Sequence, residues 1–149
     1  MLKQEMADTL QANLNAQFEL CQNLEELADK LPYNVDLQKC LSLARVISPV
    51  LKQAHDYEEH MLFPKLRDWF SDNDQLMATL ERLRFEHWED ESFADELREG
   101  LISLARGHDS EMTTSLPYML RGFFEGVRRH AAFEREHILP ILIARQAKD

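Results

Sequence analysis

The fold this sequence predicts is all-α, an up-down-up-down four-helix bundle, and three observations carry that expectation. The 149 residues include only 4 glycines and 5 prolines, with 44% hydrophobic and 30% charged residues; the mix is rich in Leu, Ala, Glu, Arg and Gln and favours helix. Apolar residues recur at steps of three and four through four long stretches, the period of a helix with one buried face. Only short turn signals separate these stretches, so consecutive helices lie antiparallel. Residues 1–149 make one domain, long enough to bury most of its apolar surface without disulfides or a structural metal.

The first helix runs from about Leu2 to Leu31, with Leu10, Leu14, Cys21, Leu24, Ala28 and Leu31 on one face. Gln17 fills the gap between Leu14 and Cys21, with Asn13 one turn earlier at the edge of the same face. A buried amide needs hydrogen-bond partners. For Gln17 these are a neighbouring helix or, alternatively, a metal or its bound water. LPYNVD is the first turn: Pro32 stops one helix, and Asn34 or Asp36 caps the next. The second helix extends to about Phe70, its inward positions being Leu37, Leu41, Ala44, Ser48, Leu51, His55, Glu58/Glu59, Leu62, Leu66 and Trp69. Pro49 should kink or divide it, Pro64 should bend its last turns, and His60 faces away from His55.

SDNDQ resembles a helix start capped by Ser71 and Asp74. The third helix places Leu80, Leu83, His87, Asp90/Glu91, Ala94, Leu97, Leu101 and Leu104 inward, and Phe85, Trp88 and Phe93 broaden the apolar stripe as core or edge packing. RGHDSEMTT is the most loop-like stretch, with His108 a loop histidine. The fourth helix begins near Ser115, with Pro117 in its first turn. Its seam reads Leu116, Leu120, Phe123, Val127, His130, Glu134, His137 and Ile141.

Composition also excludes partners. A formal charge of −10 disfavours nucleic acid and anionic membrane surfaces, which call for a basic face. No apolar run approaches a membrane span, and the N-terminus has no signal-peptide core. Cys21 and Cys40 form no C-x-x-C pair and read as reduced thiols of a cytoplasmic protein. Gly-rich phosphate loops, G-x-S-x-G and H-E-x-x-H are absent as well.

What remains is a repeated His followed four residues later by Glu: His55/Glu59, His87/Glu91 and His130/Glu134. Residues four apart share a helix face, and imidazole with carboxylate suits iron, zinc or manganese. Taken singly, each pair reads as a surface helix contact; pointing inward together, they read as a site. At 1.5 Å per residue, His55 lies roughly 22 Å from the end of its helix and His87 roughly 18 Å from the start of the next. The matching distances for His87 and His130 are roughly 27 and 22 Å, so the three rings reach one level. Apolar layers above and below would keep that level dry. Imidazoles and carboxylates buried there without a cation would be costly, which makes a metal the natural occupant. His137 stands in an E-x-x-H relation to Glu134, as a direct ligand or as support for one; Gln17 and Glu91 are candidates for the same two roles.

At HDYEEHMLFP, EHWEDE and HAAFEREHILP the sequence resembles the hemerythrin-like, or HHE cation-binding, family over almost its whole length. The resemblance implies a four-helix bundle around a non-haem di-iron centre. It implies His55, Glu59, His87, His130 and Glu134 as metal ligands, with the glutamates bridging. The chain departs from the family pattern on the first helix, which has Asn13 or Gln17 but no histidine. It departs again at Glu91, where oxygen carriers have a second histidine, and at Arg135, where they have Asp. Such a set is poorer in imidazole and richer in carboxylate than an oxygen carrier's, and argues against reversible oxygen transport.

The resemblance therefore implies a metal-binding protein, more readily than an enzyme, that holds iron or another divalent transition metal. It implies that one or both sites are weak, and that the role is sensing or handling oxygen, nitric oxide or iron. The alternative is a bundle that has lost full metal function and serves as an interaction domain. A histidine phosphotransfer bundle, which needs an exposed helical His, ranks below both. So does a ferritin-like oxidase, for which only Glu134/His137 fits.

Overall fold

A computed structural model of the chain describes residues 3–107 and 111–147. Among these the secondary structure is wholly helical: α1 Lys3–Lys30, α2 Leu37–Tyr57, a π-helical turn Glu58–Leu62, α3 Phe63–Trp69, α4 Asp74–Ala105, α5 Glu111–His137 and α6 Leu139–Ala147. His108, read from sequence as a loop residue, lies outside the described residues.

Local chemistry sets the boundaries. The Asp36 carboxylate accepts from the Lys39 backbone N–H at 3.0 Å and starts α2. Replacing Asp36 with alanine should cost about 1 kcal/mol, the usual worth of such a cap, and lower the melting temperature by about 3 °C in a thermal scan. An unchanged scan would mean that the cap contributes nothing. At the start of α4 the cap is Asn73, whose side-chain oxygen accepts from Leu76 N–H at 3.0 Å; the Ser71/Asp74 pair expected from sequence does not perform it.

Pro49 neither divides nor ends α2. It sits on the exposed side, where water can satisfy the carbonyl its missing N–H leaves free. The interruption comes later, in the π turn, where Phe63 N–H reaches the Glu58 carbonyl. Widening the ring there carries the backbone past Pro64, which has no N–H to offer the preceding turn. The fourth helix begins at Glu111, four residues before the expected start, so Pro117 lies inside α5 and Glu111–Thr114 is helical rather than loop. Pro140 divides α5 from α6 at Ile138 by the same loss of a donor.

α1 packs against α2 and α5, and α4 packs against the same two. Two apolar clusters fill the interior. One joins Leu20 to Ala28 of α1 and Leu31 just after it, Cys40 to Leu51 of α2, Ala94 to Leu101 of α4 and Leu116 to Val127 of α5. The other joins Met6 to Leu14 of α1, Leu62 to Leu66, Leu76 to Leu83 of α4 and Ala131 to Leu142. Between them every rod changes character: Gln17, His55, Glu58, His87, His130 and Glu134 are all buried in the gap. The expected positions of the first-helix seam are confirmed, Leu10 through Ala28 being essentially inaccessible. Both cysteines are free and buried, and burial pushes the Cys21 thiol up to about 11.

Two of the aromatics expected as core or edge packing lie outside the core. Phe85 and Trp88 are 59% and 65% exposed and touch each other at 6.2 Å between ring centroids. Only Phe93 turns inward, edge-on to Phe123 at 5.4 Å. On α4 the buried seam is already filled by Leu83, His87 and Ala94, and residues 85 and 88 fall beyond its edges.

Candidate metal centre

The polar layer is built from α2 with its π turn, α4 and α5. His55 and His87 stack face to face, with centroids 3.9 Å apart and planes 10° from parallel. His130 lies 5.3 Å from His87 and 6.3 Å from His55, so imidazoles from three rods do meet at one depth. Phe63 closes the layer beyond His87, with centroids at 5.8 Å.

Carboxylates face these rings closely. Glu58 Oε2 stands 2.7 Å from His87 Nε2, and Glu134 Oε1 stands 3.0 Å from His130 Nε2. Glu58, His87, His130 and Glu134 each offer a ligand atom, and all four atoms lie within 4.8 Å of one another. The 2.7 Å approach lacks the alignment of a hydrogen bond. Glu58 Oε2, both ring nitrogens of His87, His130 Nδ1 and Glu134 Oε2 are buried without a hydrogen-bond partner. Each such atom costs about 1–3 kcal/mol, a large sum against the 5–15 kcal/mol that holds a domain together. Nitrogen and oxygen donors gathered within so small a buried volume are what a transition-metal cation requires. The residues present fit one.

The electrostatics fit the same occupant. Burial, then the neighbouring His87 and His130, pushes His55 down to about 2; burial and His130 push His87 down to about 4. Both rings are therefore neutral at pH 7, as ligands must be. Burial opposes charge on His130 too, but the flanking Glu134 and Glu86 carboxylates push it up to about 10. Burial and the neighbouring Glu134 and Glu59 hold Glu58 well above the usual carboxylate range. For Glu134 burial is outweighed by the adjoining Glu58 carboxyl and His130, which keep it low.

Cation binding at pH 7 must therefore displace the proton on His130, since pH 7 lies below its raised pKa, and the upward shift of Glu58, caused first by burial, adds to the protons a cation displaces. Adding ferrous ion or zinc to weakly buffered, metal-free protein should release about one to two protons per cation, read with an indicator dye. Uptake without proton release would contradict these assignments.

The other positions singled out in the sequence fall around this cluster. Glu59 is at its rim, 3.5 Å from His87 Nδ1 and 3.5 Å from Arg84 Nε, its side chain 27% exposed. Glu91 holds His55 by a 3.2 Å contact to Nδ1. Gln17 is buried in the layer, but its amide donates to the Asn13 carbonyl of its own helix at 3.3 Å, not to a neighbouring one. His137 is exposed and lies against Phe133, 4.6 Å between centroids, because the buried seam of α5 steps from Glu134 to Ile138 instead. Arg135 places its guanidinium 4.7 Å over the Phe18 ring. His60 is exposed, as expected.

The hemerythrin HHE cation-binding domain matches residues 7–142. The chain belongs to that family. No curated protein and no solved structure gave a match. In this hemerythrin-like chain the buried carboxylate of the second rod is Glu58, three residues after His55, rather than Glu59, four after it. Both positions share a face with His55, so spacing alone leaves the pair open. Glu86 and Asp90 face the outer nitrogen of His130 at 3.3 and 3.9 Å; Asp90 is among the inward positions read from sequence, whereas Glu86 has no signal beyond its place one turn before it on α4.

Proposed function

We propose that the chain is a single-domain, cytoplasmic non-haem iron protein that holds a di-iron centre and acts in sensing or handling oxygen, nitric oxide or iron. The observation that carries this reading is the set of unpartnered nitrogen and oxygen atoms on Glu58, His87 and Glu134, gathered with His130 between two apolar clusters. Those four side chains are the compact ligand set. His55, with Glu59 and Glu91 at the rim, extends it toward a second, weaker position. Bound iron would supply redox chemistry and an attachment point for a diatomic ligand. The chain's own residues exclude water, hold His55 and His87 neutral, and keep on His130 a proton that an arriving cation displaces.

The lack of a histidine on α1, where Gln17 is turned back onto its own helix, distinguishes this ligand set from that of oxygen carriers. The alternating up-and-down course of the rods belongs to the same reading. It is supported by contacts that pair Asp29 with Arg121, Met6 with Tyr57 and Ser48 with Asp95.

Metal analysis of protein purified from iron-supplemented cells tests the proposal. About one to two equivalents of iron are expected, and less than about 0.1 equivalent of any transition metal would refute it.

A further inference from the structure

A second set of donors lies on the solvent side of His130, in the groove between α4 and α5. A cavity of about 570 Å³ opens there, lined among others by Arg82, Glu86, Glu89, Asp90, Arg129 and His130. At its floor His130 Nδ1 is buried and has no hydrogen-bond partner, while the residue as a whole is only 8% exposed. Glu86 Oε2 stands 3.3 Å from that nitrogen and Asp90 Oδ2 3.9 Å. The other Glu86 oxygen is held by Arg82 Nε at 3.2 Å, which leaves Oε2 directed at the ring.

These separations do not describe a hydrogen bond: the nearer lacks the alignment and the farther is too long. Each lies in the range at which two ligands of one cation stand from each other. Donors bound at about 2.0–2.2 Å stand roughly 3–4 Å apart around it. One imidazole nitrogen and two carboxylates form a donor set that takes zinc, ferrous iron or manganese, and the open cavity leaves room for water to complete the coordination.

We propose that His130 Nδ1, Glu86 and Asp90 form an outer site for a divalent transition-metal cation. It lies on the opposite edge of the imidazole whose Nε2 faces the buried centre. The outer site shares that ring with the centre but none of the centre's carboxylates, so the two can be separated by mutation. With both ring nitrogens engaged the His130 imidazolium has given both its N–H protons to solvent and stands as an imidazolate, and it offsets the added positive charge together with Glu58, Glu134, Glu86 and Asp90.

Zinc titration of metal-free protein at pH 7, by equilibrium dialysis with elemental analysis, tests the site in the wild type, in Glu86→Gln/Asp90→Asn and in Glu58→Gln. Glu86 and Asp90 are partly exposed, so their amide replacements should fold. The double variant is expected to bind about one zinc fewer than the wild type, and Glu58→Gln to retain the equivalent that the double variant loses. Wild-type stoichiometry and affinity in the double variant would overturn the outer site. If Glu58→Gln abolishes all zinc binding and the double variant changes nothing, the outer site is refuted while the buried centre stands. If the double variant abolishes all zinc binding and Glu58→Gln changes nothing, the outer site stands and the buried centre fails. On the unaltered protein, long-range proton–nitrogen spectra provide an independent readout. The His130 Nδ1 resonance should move on zinc addition, and an unmoved resonance overturns the proposal.

Discussion

Replacing His87 with alanine is expected to lower the metal content of the purified protein at least about tenfold, the minimum expected for a direct ligand given what its supporting residues are worth. The metal-free variant should meanwhile melt within about 5 °C of the metal-free wild type. His87 is the hub of the layer, stacked on His55, 2.7 Å from Glu58 and 5.3 Å from the His130 ring. Deleting a buried side chain opens a void, which destabilises. Here it also removes two ring nitrogens that have no hydrogen-bond partner, and their relief offsets much of that cost. An ordinary core residue would show the opposite pattern, a large drop in melting temperature and no effect on metal. Elemental analysis alongside a thermal scan separates the two, and unchanged metal content would remove His87 from the ligand set.

Stripping the cation from the wild-type protein should have the second large effect. A ligand present at about a thousand times its dissociation constant stabilises the state it binds by about 4 kcal/mol. For a chain of this size that corresponds to a shift of about 10 °C. Scans with and without a strong chelator measure it, and adding ferrous ion back should restore the higher melting temperature. Identical melting curves would favour the alternative of an interaction domain that has lost its metal. The buried layer argues for the shift: the atoms left unpartnered on Glu58, His87 and Glu134 include the ones a cation would satisfy.

Much of this was legible because helical periodicity is a local property. The apolar faces of all four rods, the inward aim of His55, His87 and His130, and their common depth follow from counting residues along a regular helix. The Asp36 cap follows from side-chain chemistry one turn away. The errors arose where that regularity breaks or where a stripe has an edge. The sequence shows Pro64 but not that the backbone would widen into a π turn just before it, within the stretch where Glu58 turns inward and Glu59 sits at the rim. Phe85 and Trp88 read as core or edge packing because they are apolar, yet Leu83, His87 and Ala94 already occupy the face of α4 that packs inward. His137 lies three residues after Glu134, but the seam takes the four-residue step to Ile138.

The sequence by itself determined the all-helical class, the three inward histidines and a carboxylate within a turn of each. Those depend on spacing along one rod, which every helix of regular pitch reproduces. Only the tertiary structure decided which oxygen meets which nitrogen: Glu58 with His87, Glu91 with His55, and Glu86 and Asp90 with the far side of His130. Contacts of that kind depend on how neighbouring rods are rotated about their axes and where their pitch changes, and these are set jointly by the packing of every layer above and below.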